Sequence, residues 1–441
     1  MKFPLWVSLV LSAIVLTSVG LYNGYPLFYS DTNAYILSGM HLDTPRTRPM
    51  TYGLFILVTS FGGLSLWPVI IVQSLIVAFL VYCCVVYLLK WKTNASIPAL
   101  MISALLAITT GLSWTSSELI ADIFTPITVI SLLLLISVKV LSRVHLFILF
   151  FIFFLANATH ISHMAISAVV IGTAVIFRKR LLLDRTQFKW RIGICLLLMG
   201  IGYFTMSSSV AKSRHIFLMA HLNEIGVLKS YLDEQCPVRG FQICKYKDQI
   251  PPDFIWDKER SPIYRSDIGW RESRPEFDQI IVDILTTPKF LKEVISTSVS
   301  WSVQQLYSFR VGNGNYPYRE DSEMFETIET YFPNEAKQYL QSRQNKERLL
   351  PVPLLDKLHA VIAVISLSVI ISFLSFRRLR QSLSEELLIL TLFVGIGIVV
   401  NAVVCVSIVS VVDRFGCRVM WLMPMLGMLY VIAYLQRRRS T

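Results

Sequence analysis

Apolar residues in this chain fall in long unbroken runs, not in the alternation of half-buried strands or the one-sided stripes of surface helices. Runs near 20 residues are what about 30 Å of hydrocarbon requires at 1.5 Å rise per residue. About ten such segments are present, at 4–21, 66–89, 96–112, 123–141, 144–157, 161–177, 191–208, 357–376, 386–410 and 419–436. The fifth and sixth are short and read as half-spans that meet near Asn157. The first follows a single Lys2 and ends in Leu21-Tyr22-Asn23-Gly24 without a small-x-small cleavage site, so it reads as a retained helix. The pattern predicts an all-α polytopic membrane protein.

Composition sharpens this. Of 441 residues, 54% are hydrophobic and 16% charged, and the mean hydropathy is +0.57, a balance no water-soluble domain of this length sustains. The formal net charge of +12 does not signal nucleic acid, because the basic residues form short runs between apolar segments and are not interleaved with stacking aromatics. They act as topology signals. With the N-terminus inside, Lys90 and Lys92, Arg143, Arg178 to Arg180 with Arg185 and Lys189, Arg377, Arg378 and Arg380, and Arg437 to Arg439 all fall on the cytoplasmic side. The expected topology is therefore N-in and C-in.

Four connections then face outward: 22–65, 113–122, 209–356 and 413–418. The third is the one polar stretch of any size, and its aromatic content suits a small folded unit. The chain divides into an N-terminal transmembrane region (1–208), an extracytoplasmic soluble domain (209–356) and C-terminal transmembrane helices (357–441). Within the soluble portion, Cys236 and Cys244 are placed for a short-loop disulfide in an oxidising compartment. Cys83, Cys84, Cys195, Cys405 and Cys417 lie in or beside apolar segments and read as packing residues.

Reactive polar residues gather on the outer connections. Asp31 precedes an aromatic-rich amphipathic piece and an Arg-Pro, which would lie flat at the interface; the plain alternative is that Asp31 caps a short helix beginning at Thr32. Glu118 and Asp122 are four apart and would share a helix face, pointing two candidate catalytic carboxylates into the same outer cavity as Asp31, or else be water-exposed carboxylates favoured at a helix start. His160 and His163 stand at i and i+3 and suit metal, phosphate or acid/base chemistry, though no third ligand is visible. Arg414 and Arg418 break the positive-inside pattern, and positive charge kept outside usually meets an anion.

The order of these features resembles the C-type membrane glycosyltransferases (the GT-C superfamily): a first span, an outer-loop Asp, interfacial helices with an Arg-Pro, an acidic Ser-Glu motif before the fourth span, and a late soluble portion. The resemblance covers roughly the first 180 residues and the last span. It implies a GT-C-like bundle of about ten helices that moves a sugar from a polyprenyl-phosphate carrier to a glycan, lipid or protein acceptor on the outer face. It also implies Asp31 as catalytic base, with Arg46, Arg48 and Arg414 on the carrier phosphate and His160 and His163 as further candidates. Where some relatives have two acids this chain has Asp31-Thr32-Asn33, so a divalent cation is left open and no other cofactor is implied. No cytoplasmic loop is long enough for a sugar-nucleotide site. A multi-span transporter or flippase of a lipid-linked or anionic substrate, or a non-catalytic envelope assembly protein, is the alternative. Sparse sequons and the lack of an ER-retention signal favour a bacterial inner (plasma) membrane, with the site on the periplasmic or extracellular side.

Overall fold

A computed structural model describes residues 3–45, 47–91, 94–346 and 351–440. Among the described residues the chain is helical throughout, with a single isolated bridge between Leu27 and Glu118. Five helices are long and apolar enough to cross a membrane: Trp67–Tyr87, Arg185–Glu224, Val352–Ser375, Glu385–Val406 and Asp413–Arg438. Five shorter apolar helices, Leu5–Leu16, Ser96–Thr109, Ala121–Ser137, Arg143–Thr159 and Ile161–Ile176, coincide with the remaining apolar runs of the sequence. These helices form one continuous core in which Phe124–Ser137 is buried at every position. Only His160, with extended backbone, separates Arg143–Thr159 from Ile161–Ile176 near Asn157, as the short runs foretold.

The bundle has two chemically distinct ends. At one, Lys90 pairs with Glu386 at 2.8 Å, Tyr87 bonds His145 at 2.7 Å, and Arg191 donates to the carbonyls of Leu135, Val138 and Lys139. The basic connections thus share one end. At the other end the loop after the first helix is joined by residues from the segments following Thr109, Tyr307 and Val406.

Two short helices of that loop, Thr32–His41 and Thr51–Thr59, cross backbone to backbone. A Cβ added at Gly39 would lie 2.2 Å from the Gly53 carbonyl oxygen, and one at Gly53 would lie 2.2 Å from Ser38 Oγ and 2.7 Å from the Tyr35 carbonyl oxygen. Backbone cannot yield as a long side chain does. Gly53→Ala is therefore expected to destabilise by about 1–3 kcal/mol, as overpacking does. Gly172→Ala, with nothing within 4 Å of the new methyl, should leave stability unchanged or raise it. Thermal melts of the two purified variants make the comparison.

The soluble domain expected at 209–356 is not a single unit. Helix Arg185–Glu224 runs for 40 residues without interruption, about 60 Å at 1.5 Å per residue, so the boundary at 208/209 falls inside a helix. No proline or glycine stands between Tyr203 and Gly226 to end it. Its far end joins a second hydrophobic core that reaches from Ile216 to Phe290, and there Cys236 and Cys244 are bridged with Cα atoms 5.7 Å apart. The segment after Val311 belongs elsewhere: Met324, Ile328, Phe332 and Tyr339 pack in the main core with Tyr25 and Phe28.

Candidate functional site

The loop holding Asp31 is fixed from three sides. Leu27 bridges Glu118 through bonds to the Ser117 carbonyl (2.8 Å) and from the Leu119 amide (3.0 Å). Thr32 donates to the Leu119 carbonyl at 2.9 Å. From the segment after Val311, Gln344 bonds both the N–H (2.9 Å) and the carbonyl (2.8 Å) of Phe28. The Glu335 carboxylate accepts from Tyr25, Ser65 and the Leu66 amide.

Asp31 does not act as a helix cap. It stands at the N-cap of Thr32–His41, yet its side chain makes no capping bond. Its carboxylate instead meets two guanidiniums, Arg48 at 2.7 Å and Arg414 at 3.5 Å. Arg48 also donates to the Asp31 carbonyl at 3.2 Å and lies over the Tyr35 ring. Its loop is held by the long helix, where Ser209 donates to the carbonyls of Pro45 (3.0 Å) and Arg48 (2.7 Å). Arg414 lies 4.1 Å from the Tyr29 ring centre and reaches Asp122 at 3.1 Å. That last contact is ionic only, since its angle leaves Arg414 Nε and Asp122 Oδ2 without a hydrogen-bond partner.

The expected face shared by Glu118 and Asp122 does not form. Glu118 and Ile120 are extended, and the helix begins only at Ala121. The two carboxylates therefore take different partners. Glu118 accepts from Trp114 Nε1 at 3.1 Å, and Asn315 accepts from the same N–H at 2.9 Å. Glu118 lies in a connection between apolar helices, and its carboxyl is pushed up to about 7 by burial first and by the charge of Asp122 second, against the pull of Asn315, Arg414 and Trp114.

Asp122 pairs with Arg418 at 2.8 Å. The Arg418 side chain is fully enclosed, at 0% exposure, and its remaining donors meet Asn401 Oδ1 (3.1 and 2.8 Å) and Cys405 Sγ (3.0 Å). It is thus a buried counter-ion, and the expectation that it meets a ligand phosphate is corrected. The same holds for His163. His163 is buried, bonded at Nε2 to Thr125 and at Nδ1 to the Ala156 carbonyl, both at 2.7 Å. His160 caps Ile161–Ile176 by accepting from the Ser162 amide at Nδ1, and it stays half-buried within electrostatic reach of Asp122 and Arg418. Among the described residues no three His, Cys, Asp or Glu side chains converge as metal ligands. Arg46 lies outside the described residues.

The structure therefore joins Asp31, Arg48, Asp122 and Arg414 in one cluster, with Arg418 beneath and Glu118 beside it. Side-chain exposures of 21% for Asp31, 10% for Arg48 and 14% for Arg414 leave these three within reach of a ligand. Three guanidiniums face two paired aspartates, so these five side chains hold one surplus positive charge, which the carboxyl of Glu118 offsets when it is ionised.

Sequence reasoning missed Tyr29, Asn315 and Asn401. Asn315 donates to the Phe28 carbonyl at 2.8 Å, and Gly314 beside it adopts φ +78°, where an added Cβ would lie 1.9 Å from Tyr29 Cε2. The flexible spacing Gly312-Asn313-Gly314-Asn315 was the available signal. Gly314→Ala is expected to displace Tyr29 from beneath Arg414. A binding titration with a phosphate ligand should then show several-fold weaker binding, at unchanged protein level. No protein-family model, no curated protein and no solved structure matches this chain, so its chemistry is argued from the residues themselves.

Proposed function

We propose that the chain is a membrane glycosyltransferase that moves a sugar from a polyprenyl-phosphate carrier to an acceptor on the outer face of a bacterial inner membrane. The observation that carries this reading is the convergence of Arg48 and Arg414 on Asp31 at the loop-rich end of the bundle. Such a transfer needs a base for the acceptor hydroxyl and cations for the departing phosphate. In this reading Asp31 takes the proton as the acceptor oxygen bonds the anomeric carbon. The bond from the anomeric carbon to the phosphate oxygen breaks as the new one forms, and the phosphate leaves with the electron pair, its charge rising from one negative to two. Arg48 spends two of its five N–H donors on Asp31, which leaves others for the phosphate. The surplus positive charge suits a phosphodiester donor.

Orientation with both termini inside, a ten-helix crossing and a GT-C relationship belong to the same proposal. The gathering of basic connections at the end opposite the cluster supports the orientation. Purified protein in liposomes, given a panel of polyprenyl-phosphate sugars and a mixed glycan, lipid and peptide acceptor pool, should consume one donor. Movement of intact donor between leaflets without consumption would replace this reading with a flippase.

A further inference from the structure

Helix Pro288–Tyr307 belongs, by sequence, to the soluble portion, because Lys289, Lys292, Glu293 and the run of Ser and Thr from Ser296 to Ser302 lower its hydropathy. Its surroundings are not those of a soluble helix. It packs against Glu385–Val406, one of the helices fit to cross a membrane. One end is anchored in the second core through Phe290 and Val294. The other is anchored by Gln305, which exchanges two bonds of 2.9 Å with the backbone of Val412, just before Arg414.

The face turned away from these contacts is two-sided. Ile295, Val299, Val303 and Tyr307 follow one another at helical spacing and are between 53% and 68% exposed. Lys292, Ser296, Ser300 and Gln304, also exposed, form the adjacent stripe. An apolar stripe edged by a polar one is the pattern of a helix lying at a membrane interface. The neighbouring helix Glu385–Val406 leaves Leu392, Val399 and Val403 exposed as well, as apolar residues facing a bilayer would be.

We propose that Pro288–Tyr307 lies in the leaflet on the site's side, with Ile295, Val299, Val303 and Tyr307 against lipid acyl chains and Lys292, Ser296, Ser300 and Gln304 toward headgroups and water. This helix then moors the unit built on the second core to the bilayer beside the arginine cluster. The inference needs only that the chain is a membrane protein and does not depend on the glycosyltransferase reading.

Single cysteines at Ile295, Val299 and Val303, and at Ser296 and Ser300, carry a nitroxide label in the full chain reconstituted in phosphatidylcholine and phosphatidylglycerol vesicles. The parent protein, whose five free cysteines are buried, gives the labelling background, and unchanged melting temperatures verify the fold of each variant. Power saturation should show contact with dissolved oxygen dominating at Ile295, Val299 and Val303, and contact with an aqueous nickel chelate dominating at Ser296 and Ser300. Chelate contact dominating at all five positions would place the helix in water and overturn the proposal. Spin-spin broadening along the apolar stripe that grows with the protein-to-lipid ratio would assign the face to a second copy of the chain and overturn it equally.

Discussion

The Asp31→Asn protein is expected to fold and insert like its parent while losing transfer by a factor on the order of 10²–10⁴, the usual worth of a general base. Asparagine keeps the side-chain carbonyl that Arg48 meets, removes the charge and the basicity, and sets an NH2 group where the second oxygen meets Arg414. Helix capping does not confuse the test, because Asp31 makes no capping bond. The change also frees Arg48 and Arg414 from a counter-charge, so an anionic donor should bind as well as before or more tightly. The expected signature is therefore a collapsed kcat with an unchanged or lowered KM. A side chain that merely positioned the arginines would give the opposite split, with KM rising and kcat spared. Near-parental turnover by Asp31→Asn would remove Asp31 as the base and turn attention to Glu118, whose carboxyl changes charge near neutral pH.

Arg418→Met is expected to produce the largest loss of stability, about 3–5 kcal/mol, because it deletes one member of a buried ion pair and leaves the other charged. Methionine roughly fills the volume, so a cavity does not dominate. Asp122 keeps its contact with Arg414, which sets the loss toward the lower end of that range. Asn401 Oδ1 loses its guanidinium donors as well. The double variant Asp122→Asn/Arg418→Met should recover much of the stability, since neither half of the enclosed pair is then left without the other. A thermodynamic cycle over the four proteins, read from unfolding in detergent micelles, gives the coupling. Additive effects of the two substitutions would mean that the pair is not energetically joined.

The sequence announced the ingredients of the cluster and mistook some of their roles. Asp31, Arg48 and Arg414 were legible because each breaks a strong rule, standing charged beside an apolar segment or basic on the side expected to lack cations. Arg418 shared that signal but is a structural counter-ion, a difference set by burial, which spacing along the chain cannot report. His160 and His163 looked like a ligand pair at i and i+3, yet one caps a helix and the other is bonded inside the core. Asn315 and Asn401 were invisible, since a neutral amide gains meaning only from what lies opposite it.

By itself the sequence determined the helical, membrane-embedded class, the placement of the apolar segments, the Cys236–Cys244 bridge and the segregation of basic connections to one end of the bundle. Each of these follows from local composition, because hydrocarbon thickness, loop charge and short-loop closure act over about 20 residues or fewer. Tertiary structure decided which charged groups meet. Asp31 and Arg414 stand 383 residues apart, and Asp122 and Arg418 stand 296 apart. Such pairings are selected by the packing of whole helices, which decides where charge can be buried only together with its partner. It decided too that the long polar stretch is not one domain, because a 40-residue helix with nothing to stop it crosses the boundary that composition suggests.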